Sequence, residues 1–173
     1  MNRVLVVVDY QNDFVSGALG FPRAAELEQG IAALVEQYMA AGDRVVFTLD
    51  THHEDYLNTR EGKNLPVEHC AEGSEGWMLY GSLRSYMNRQ NVTLLPKQSF
   101  GTADFGNLFS LAPDEITLVG VVTNMCVISN AINLQTCFPN ANIIIESNLC
   151  ASFNEELHQK ALDVMVGLQM QVR

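Results

Sequence analysis

Met1-Asn2-Arg3-Val4-Leu5-Val6-Val7-Val8-Asp9-Tyr10-Gln11-Asn12-Asp13-Phe14 opens the chain, and its first half decides the fold class. Apolar residues run without alternation from Val4 to Val8 and stop at an acid. A half-exposed strand alternates apolar and polar side chains. A continuous run suits a strand covered on both faces, as in a parallel sheet between helical layers. The run is too short for a signal peptide, and no apolar stretch approaches the roughly 18 residues of a membrane span.

Similar runs recur at Arg44–Leu49, Val92–Leu95, Ile116–Val121, Asn142–Ile145 and Met170–Val172. Helical patterns lie between them: Ala24–Ala41, with Pro22 suited to an early helical position, then Ser82–Arg89, Asp104–Leu111, Cys126–Cys137 and Glu155–Val166. Ser152-Phe153-Asn154-Glu155 reads as a capping box opening the last helix. The alternation predicts a doubly wound, Rossmann-like α/β fold: a six-stranded parallel sheet with helices on both faces, three layers in all. With no repeats, low-complexity segments or linkers, residues 1–173 read as a single domain. The long irregular stretch from Thr51 to Gly81 is the exception, and loops of that length in a compact domain are usually functional.

Composition narrows the function classes. Hydrophobic residues make up 47% of the chain, and 10 Lys plus Arg against 20 Asp plus Glu give a net charge of −10. Nucleic acid and anionic membranes both need a basic face, so neither is expected as a partner. Cys70, Cys126, Cys137 and Cys150 are irregularly spaced, without a C-x-x-C pair, and read as reduced thiols of a cytoplasmic protein. Cys137 and Cys150 sit among apolar neighbours and read as packing residues.

Open parallel sheets bind ligands beyond the carboxyl ends of their strands. Asp9 follows the first strand, Asp50-Thr51-His52-His53 the second, Lys97 the third, and Val122-Thr123-Asn124-Met125-Cys126 the fourth. An acid, an acid with imidazoles, a lysine and a thiol thus meet at one edge. A thiol opening a helix gains from the helix dipole, a lysine would lower its pKa further, and a carboxylate could take its proton. The ordinary alternatives are a buried small hydrophobe at Cys126, a turn cap at Asp9 and a solvated Lys97. Asp13 fits capping better than Asp9 does.

Asp50 and His52 are two apart on an extended segment and point the same way, with His53 opposed. His69, in the long loop, is a possible third ligand, and Glu61 a further contact. Two imidazoles and a carboxylate suit zinc, iron or manganese with positions left open. Otherwise Asp50 and His52 cap a strand end. His158, on the last helix, is expected at the surface. Phe14, Trp77, Tyr80 and Phe100 fall at the same edge, where they could wall a pocket for a flat ring. Gly101 and Gly106 form no phosphate-binding fingerprint, and the sequon Asn91-Val92-Thr93 lies in an expected buried strand.

Asp9 with Gln11-Asn12-Asp13-Phe14, Lys97 before Ser99-Phe100-Gly101-Thr102, and Thr123-Asn124-Met125-Cys126-Val127 resemble, in order, the motifs of the isochorismatase-like cysteine hydrolases, especially the nicotinamidase branch. The resemblance implies a catalytic triad of Asp9, Lys97 and Cys126. It also implies backbone N–H groups of Val122 and Cys126 as an oxyanion hole, beside a cis peptide between Val121 and Val122. Asp50, His52 and His69 match the branch's ligands for one divalent transition metal, zinc foremost, which binds the substrate's ring nitrogen. The implied reaction is hydrolysis of a small amide through a thioester, nicotinamide to nicotinate and ammonia being the leading case, in a homodimer or homotetramer. Phe14, Trp77 and Phe100 would line the substrate pocket. The rivals are a metal-independent hydrolase of carbamoyl or ureido compounds and a catalytically idle binding module. Thr51, Asn124 and Ser99-Phe100 depart from the residues that many nicotinamidases carry there.

Overall fold

A computed structural model describes residues 1–173. In chain order the elements are β1 (Arg3–Val8), α1 (Asn12–Val15), α2 (Pro22–Ala25), α3 (Glu28–Ala40), β2 (Arg44–Asp50), α4 (Arg60–Asn64), β3 (Val92–Lys97), α5 (Phe105–Leu108), β4 (Glu115–Val121), α6 (Ile128–Cys137), β5 (Asn142–Ala151), α7 (Glu155–Gly167) and β6 (Gln171–Val172). The strands form one parallel sheet in the order β3-β2-β1-β4-β5-β6. The order reverses direction around β1 and β4, so this doubly wound sheet has its switch point between the strands that end at Val8 and Val121.

The continuous apolar runs are explained by burial on both faces. Leu5, Val7 and Phe47 belong to one core, with α3 and the segment around Leu83; Val4, Val6 and Val46 belong to the other, with α6 and α7. No helix is long and apolar enough to cross a membrane.

Several elements differ from their sequence reading. The expected helix Ala24–Ala41 is two helices, because Leu27 N–H bonds back to Ala24 in a tighter turn that interrupts the regular ladder. The expected helix Ser82–Arg89 is a 3-10 segment over Gly81–Asn88, and Asp104–Leu111 shrinks to α5. The last helix is capped by Asn154, whose side chain accepts from Leu157 N–H; Ser152 instead accepts from Asn154 N–H and donates to Asn124. β5 runs on past Ile145 to Ala151, with a register shift against β4 between Leu118 and Gly120. The expected final strand Met170–Val172 is shorter by one residue. The long loop holds a 3-10 turn, Tyr56–Asn58, and α4.

Gly120 is the position where the sheet tolerates no side chain. Its φ is +115°, and a Cβ there would lie 2.2 Å from the Val8 carbonyl. β4 therefore passes β1 closely just before the turn that carries Cys126.

Candidate active site

Asp9 leaves β1 with φ of 45°, a left-handed conformation that Asp tolerates better than most residues. The reversal turns its carboxylate into the interior, where Thr48 Oγ1 donates to Oδ1 at 2.6 Å. Lys97, the last residue of β3, reaches across with Nζ 2.7 Å from Asp9 Oδ2. The same ammonium donates to the Ser99 carbonyl at 2.9 Å and stands 3.7 Å from Cys126 Sγ. Asp9, Lys97 and Cys126 are all buried. Apart from that ion pair, Asp9 Oδ2 has no hydrogen-bonded partner, which leaves it an acceptor for a proton.

Cys126 lies in a wide π-type turn, Thr123–Val127, closed by Val127 N–H on the Val122 carbonyl at 3.1 Å. The Val121–Val122 peptide is cis, and Val122 N–H donates to no backbone carbonyl. Thr123 is tied to His158 Nδ1 at 2.8 Å. His158 is thus a buried residue facing the turn, not the surface residue expected from its helix, because α7 packs directly on this turn.

The electrostatics revise one expectation. Burial and the Asp9 carboxylate push the Cys126 thiol up, and Lys97 only partly opposes them, so the resting sulfur is a thiol. Burial also raises Asp9 despite Lys97. Lys97 stays charged: burial works against it, but the Asp9 and Asp50 carboxylates outweigh that.

Beside this cluster, Asp50, His52, Glu61 and His69 place one ligand atom each within 4.8 Å of one another. Asp50 Oδ2 is 3.0 Å from His52 Nε2 and 3.4 Å from His69 Nε2. Glu61 Oε1, brought in by α4, is 3.8 and 3.9 Å from the same nitrogens. His69 Nδ1 lies 2.7 Å from the Val67 carbonyl and donates to it in the tautomer that leaves Nε2 as a lone-pair donor. Three carboxylates (Asp9, Asp50, Glu61) face one ammonium here, an excess of negative charge that a divalent cation would cancel. The donor set therefore fits a transition metal. His53 lies apart, against Glu72 and Gln98.

Cys126 and the four donors Asp50, His52, Glu61 and His69 line a cavity of about 940 Å³, together with Phe14, Phe100, Met125 and Phe153. Trp77 is not among the lining residues; its Nε1 donates to Thr51 Oγ1 at 2.9 Å, so it supports the residue between the two metal-type ligands. Tyr80 packs edge-on against Tyr10 in the core. Asp13 caps, as expected, accepting from Cys70 and Ala18 N–H. Three contributors carried no assigned role in the sequence reading: Thr48; Gln11, whose amide pairs with both backbone groups of Asp50; and Asn130. Thr48 was signalled only by its polarity inside an apolar strand, and Gln11 only by its place in the motif that begins at Asp9.

The fold and these clusters define a doubly wound α/β protein with an acid, a lysine and a thiol at its switch point. The isochorismatase domain model matches residues 3–172, and the chain belongs to that family. The isochorismatase family protein PncA of Bacillus subtilis is 30% identical over 174 residues, covering 94% of this chain and 93% of its own. The crystal structure of nicotinamidase PncA from Bacillus subtilis superposes with a TM-score of 0.87 at 30% identity, covering 99% of each chain. That of pyrazinamidase/nicotinamidase from Streptococcus mutans UA159 gives 0.87 at 29% identity, over 99% of this chain and all of the other (100%). The pyrazinamidase of Pyrococcus horikoshii, solved in complex with zinc, shares the fold at 19% identity with a TM-score of 0.86, covering 100% of this chain and 99% of its own.

Proposed function

We propose that the protein is an amidohydrolase of the nicotinamidase type, cleaving nicotinamide or a closely similar aromatic amide to the acid and ammonia. The observation that carries this reading is Lys97 Nζ, 2.7 Å from Asp9 Oδ2 and 3.7 Å from the sulfur of Cys126, which lines the cavity. The resemblance to nicotinamidases over almost the whole chain supports the substrate class.

In the mechanism, Asp9 takes the thiol proton as sulfur attacks the amide carbonyl, so that no resting thiolate is needed. Lys97 stays protonated and holds the carboxylate beside the sulfur. The carbonyl oxygen gains negative charge, which the N–H groups of Val122 and Cys126 would receive. Collapse breaks the C–N bond; Asp9 returns its proton to the departing nitrogen, and ammonia leaves a thioester on Cys126. Asp9 then takes a proton from water, whose oxygen attacks the thioester. The C–S bond breaks, the sulfur regains the proton and the acid is released.

Asp50, His52, His69 and Glu61 would hold one divalent transition metal, zinc foremost. When bound it supplies a Lewis-acid contact for a ring nitrogen; the zinc complex of the Pyrococcus horikoshii relative supports this assignment. Phe14 and Phe100 flank the ring.

Ammonia release from nicotinamide by the purified protein, with Cys126→Ala as control, tests the reading. Cysteine-dependent release is expected. Absence of release from folded, metal-loaded protein would discard nicotinamide as substrate.

A further inference from the structure

Asn130 sits one turn after Cys126 on α6, and none of its surface is exposed. A buried amide needs partners, and those of Asn130 come from the two segments that meet at the thiol. Its Nδ2 donates to the Cys126 carbonyl at 2.9 Å and to the Phe100 carbonyl at 3.1 Å. Its Oδ1 accepts from Thr102 N–H at 3.2 Å. One side chain thus clasps both the turn bearing Cys126 and the loop that follows Lys97.

A separate feature shows how closely that loop is seated. A Cβ at Gly101 would fall 2.6 Å from Asn133 Nδ2 and 3.2 Å from Ser129 Cβ, so the loop backbone rests directly on the first turns of α6. The same loop presents the Ser99 carbonyl that accepts from Lys97 Nζ at 2.9 Å. A continuous path runs from Asn130 through residues 100–102 to Ser99 and then Lys97, and by its other arm to Cys126.

The geometry points to Asn130 as a positioning residue that sets the distance between the Lys97 ammonium and the Cys126 sulfur. It touches neither substrate nor reacting atoms and acts through the two segments it joins. The inference rests on the amidohydrolase reading for its kinetic consequence, but the clasp is also readable in the reactivity of Cys126 itself.

The test compares Asn130→Asp and Asn130→Thr with the parent. Asp keeps the shape but turns the donating end into an acceptor facing two carbonyls. Thr retains a hydroxyl able to bond back to the Cys126 carbonyl within the helix, yet it is too short to bridge to Phe100 and Thr102. For Asn130→Asp, kcat on the amide should fall at least about tenfold, since an ångström of misplacement at a reacting centre costs about a hundredfold. KM and bound metal should stay within about threefold. Alkylation of Cys126 by iodoacetamide, followed by peptide mass analysis, should change by a comparable factor, with Asn130→Thr intermediate in both readouts. Folded variants with kcat and Cys126 alkylation within twofold of the parent would overturn the assignment. So would a loss confined to KM, or a fall in activity that follows melting temperature while alkylation is unchanged. If the parent hydrolyses no amide, the functional reading fails on the parent alone, and the alkylation ratio still decides the role of Asn130.

Discussion

Lys97 Nζ lies 3.3 Å from Asp50 Oδ1, so the ammonium that holds Asp9 also touches the carboxylate whose other oxygen faces His52 and His69. The acid–base cluster and the donor set are one charge network. The Asp50 carboxylate helps hold the Cys126 thiol up. Asp50→Asn should therefore shift the pH profile of Cys126 alkylation to lower pH, while His52→Ala, which removes no negative charge, should not. Identical profiles for the two variants, measured without added metal, would refute this coupling.

Thr48→Val tests the base. The Thr48 hydroxyl holds the ionised form of Asp9, whose carboxyl burial already raises above the ordinary 3.8. A base works only when deprotonated, so activity is lost as pH falls through its pKa. Removing the hydroxyl raises that pKa further. The acid limb of kcat/KM should move to higher pH, with a stability loss of about 1–3 kcal/mol for the missing hydrogen bond. An unmoved limb would assign the proton acceptor elsewhere.

Metal content can be measured directly. About one transition metal per chain is expected after purification from metal-supplemented medium, falling to background in His52→Ala and His69→Ala. Glu61→Gln should weaken retention by about tenfold or more against a competing chelator. Full retention by Glu61→Gln would remove Glu61 from the ligand set.

Gly120→Ala should destabilise the protein by about 2 kcal/mol or more, since the methyl meets a backbone carbonyl and the φ is one that only glycine adopts readily. Chemical denaturation measures it, and a neutral result would mean that β1 and β4 can separate without cost.

The sheet was legible because Val4–Val8 is apolar throughout and Ile116–Val121 is broken only by Thr117, a pattern that burial on both faces demands. The tail of β5 was not, because Glu146, Ser147 and Asn148 interrupt the apolar run; Ser147 N–H bonds to the Arg173 carbonyl beyond β6, and pairing with β4 resumes only at Cys150. Asp9, Lys97 and Cys126 were legible as strand-end residues. The His158–Thr123 contact was hidden because helix periodicity says which residues share a face, not which turn that face meets. Glu61 was ambiguous because the folding of 51–81 comes from local turns and from isolated pairings such as His52 with Ala71. The raised thiol at Cys126 also escaped sequence reasoning: an exposed helix end favours a thiolate, but this turn is buried.

Asp9, Lys97 and the Cys126 turn hang from the ends of β1, β3 and β4, whereas His69, Glu61 and much of the cavity wall come from the segment between β2 and β3. On the proposed reaction, the strand ends break the bond and the segment between β2 and β3 chooses which bond is offered. The Gly120 crossing seats the ends of β1 and β4 closely against each other. Changes of length or composition within 51–81 can retune selectivity while leaving the nucleophile where it is, so a search for altered substrate preference belongs in that segment.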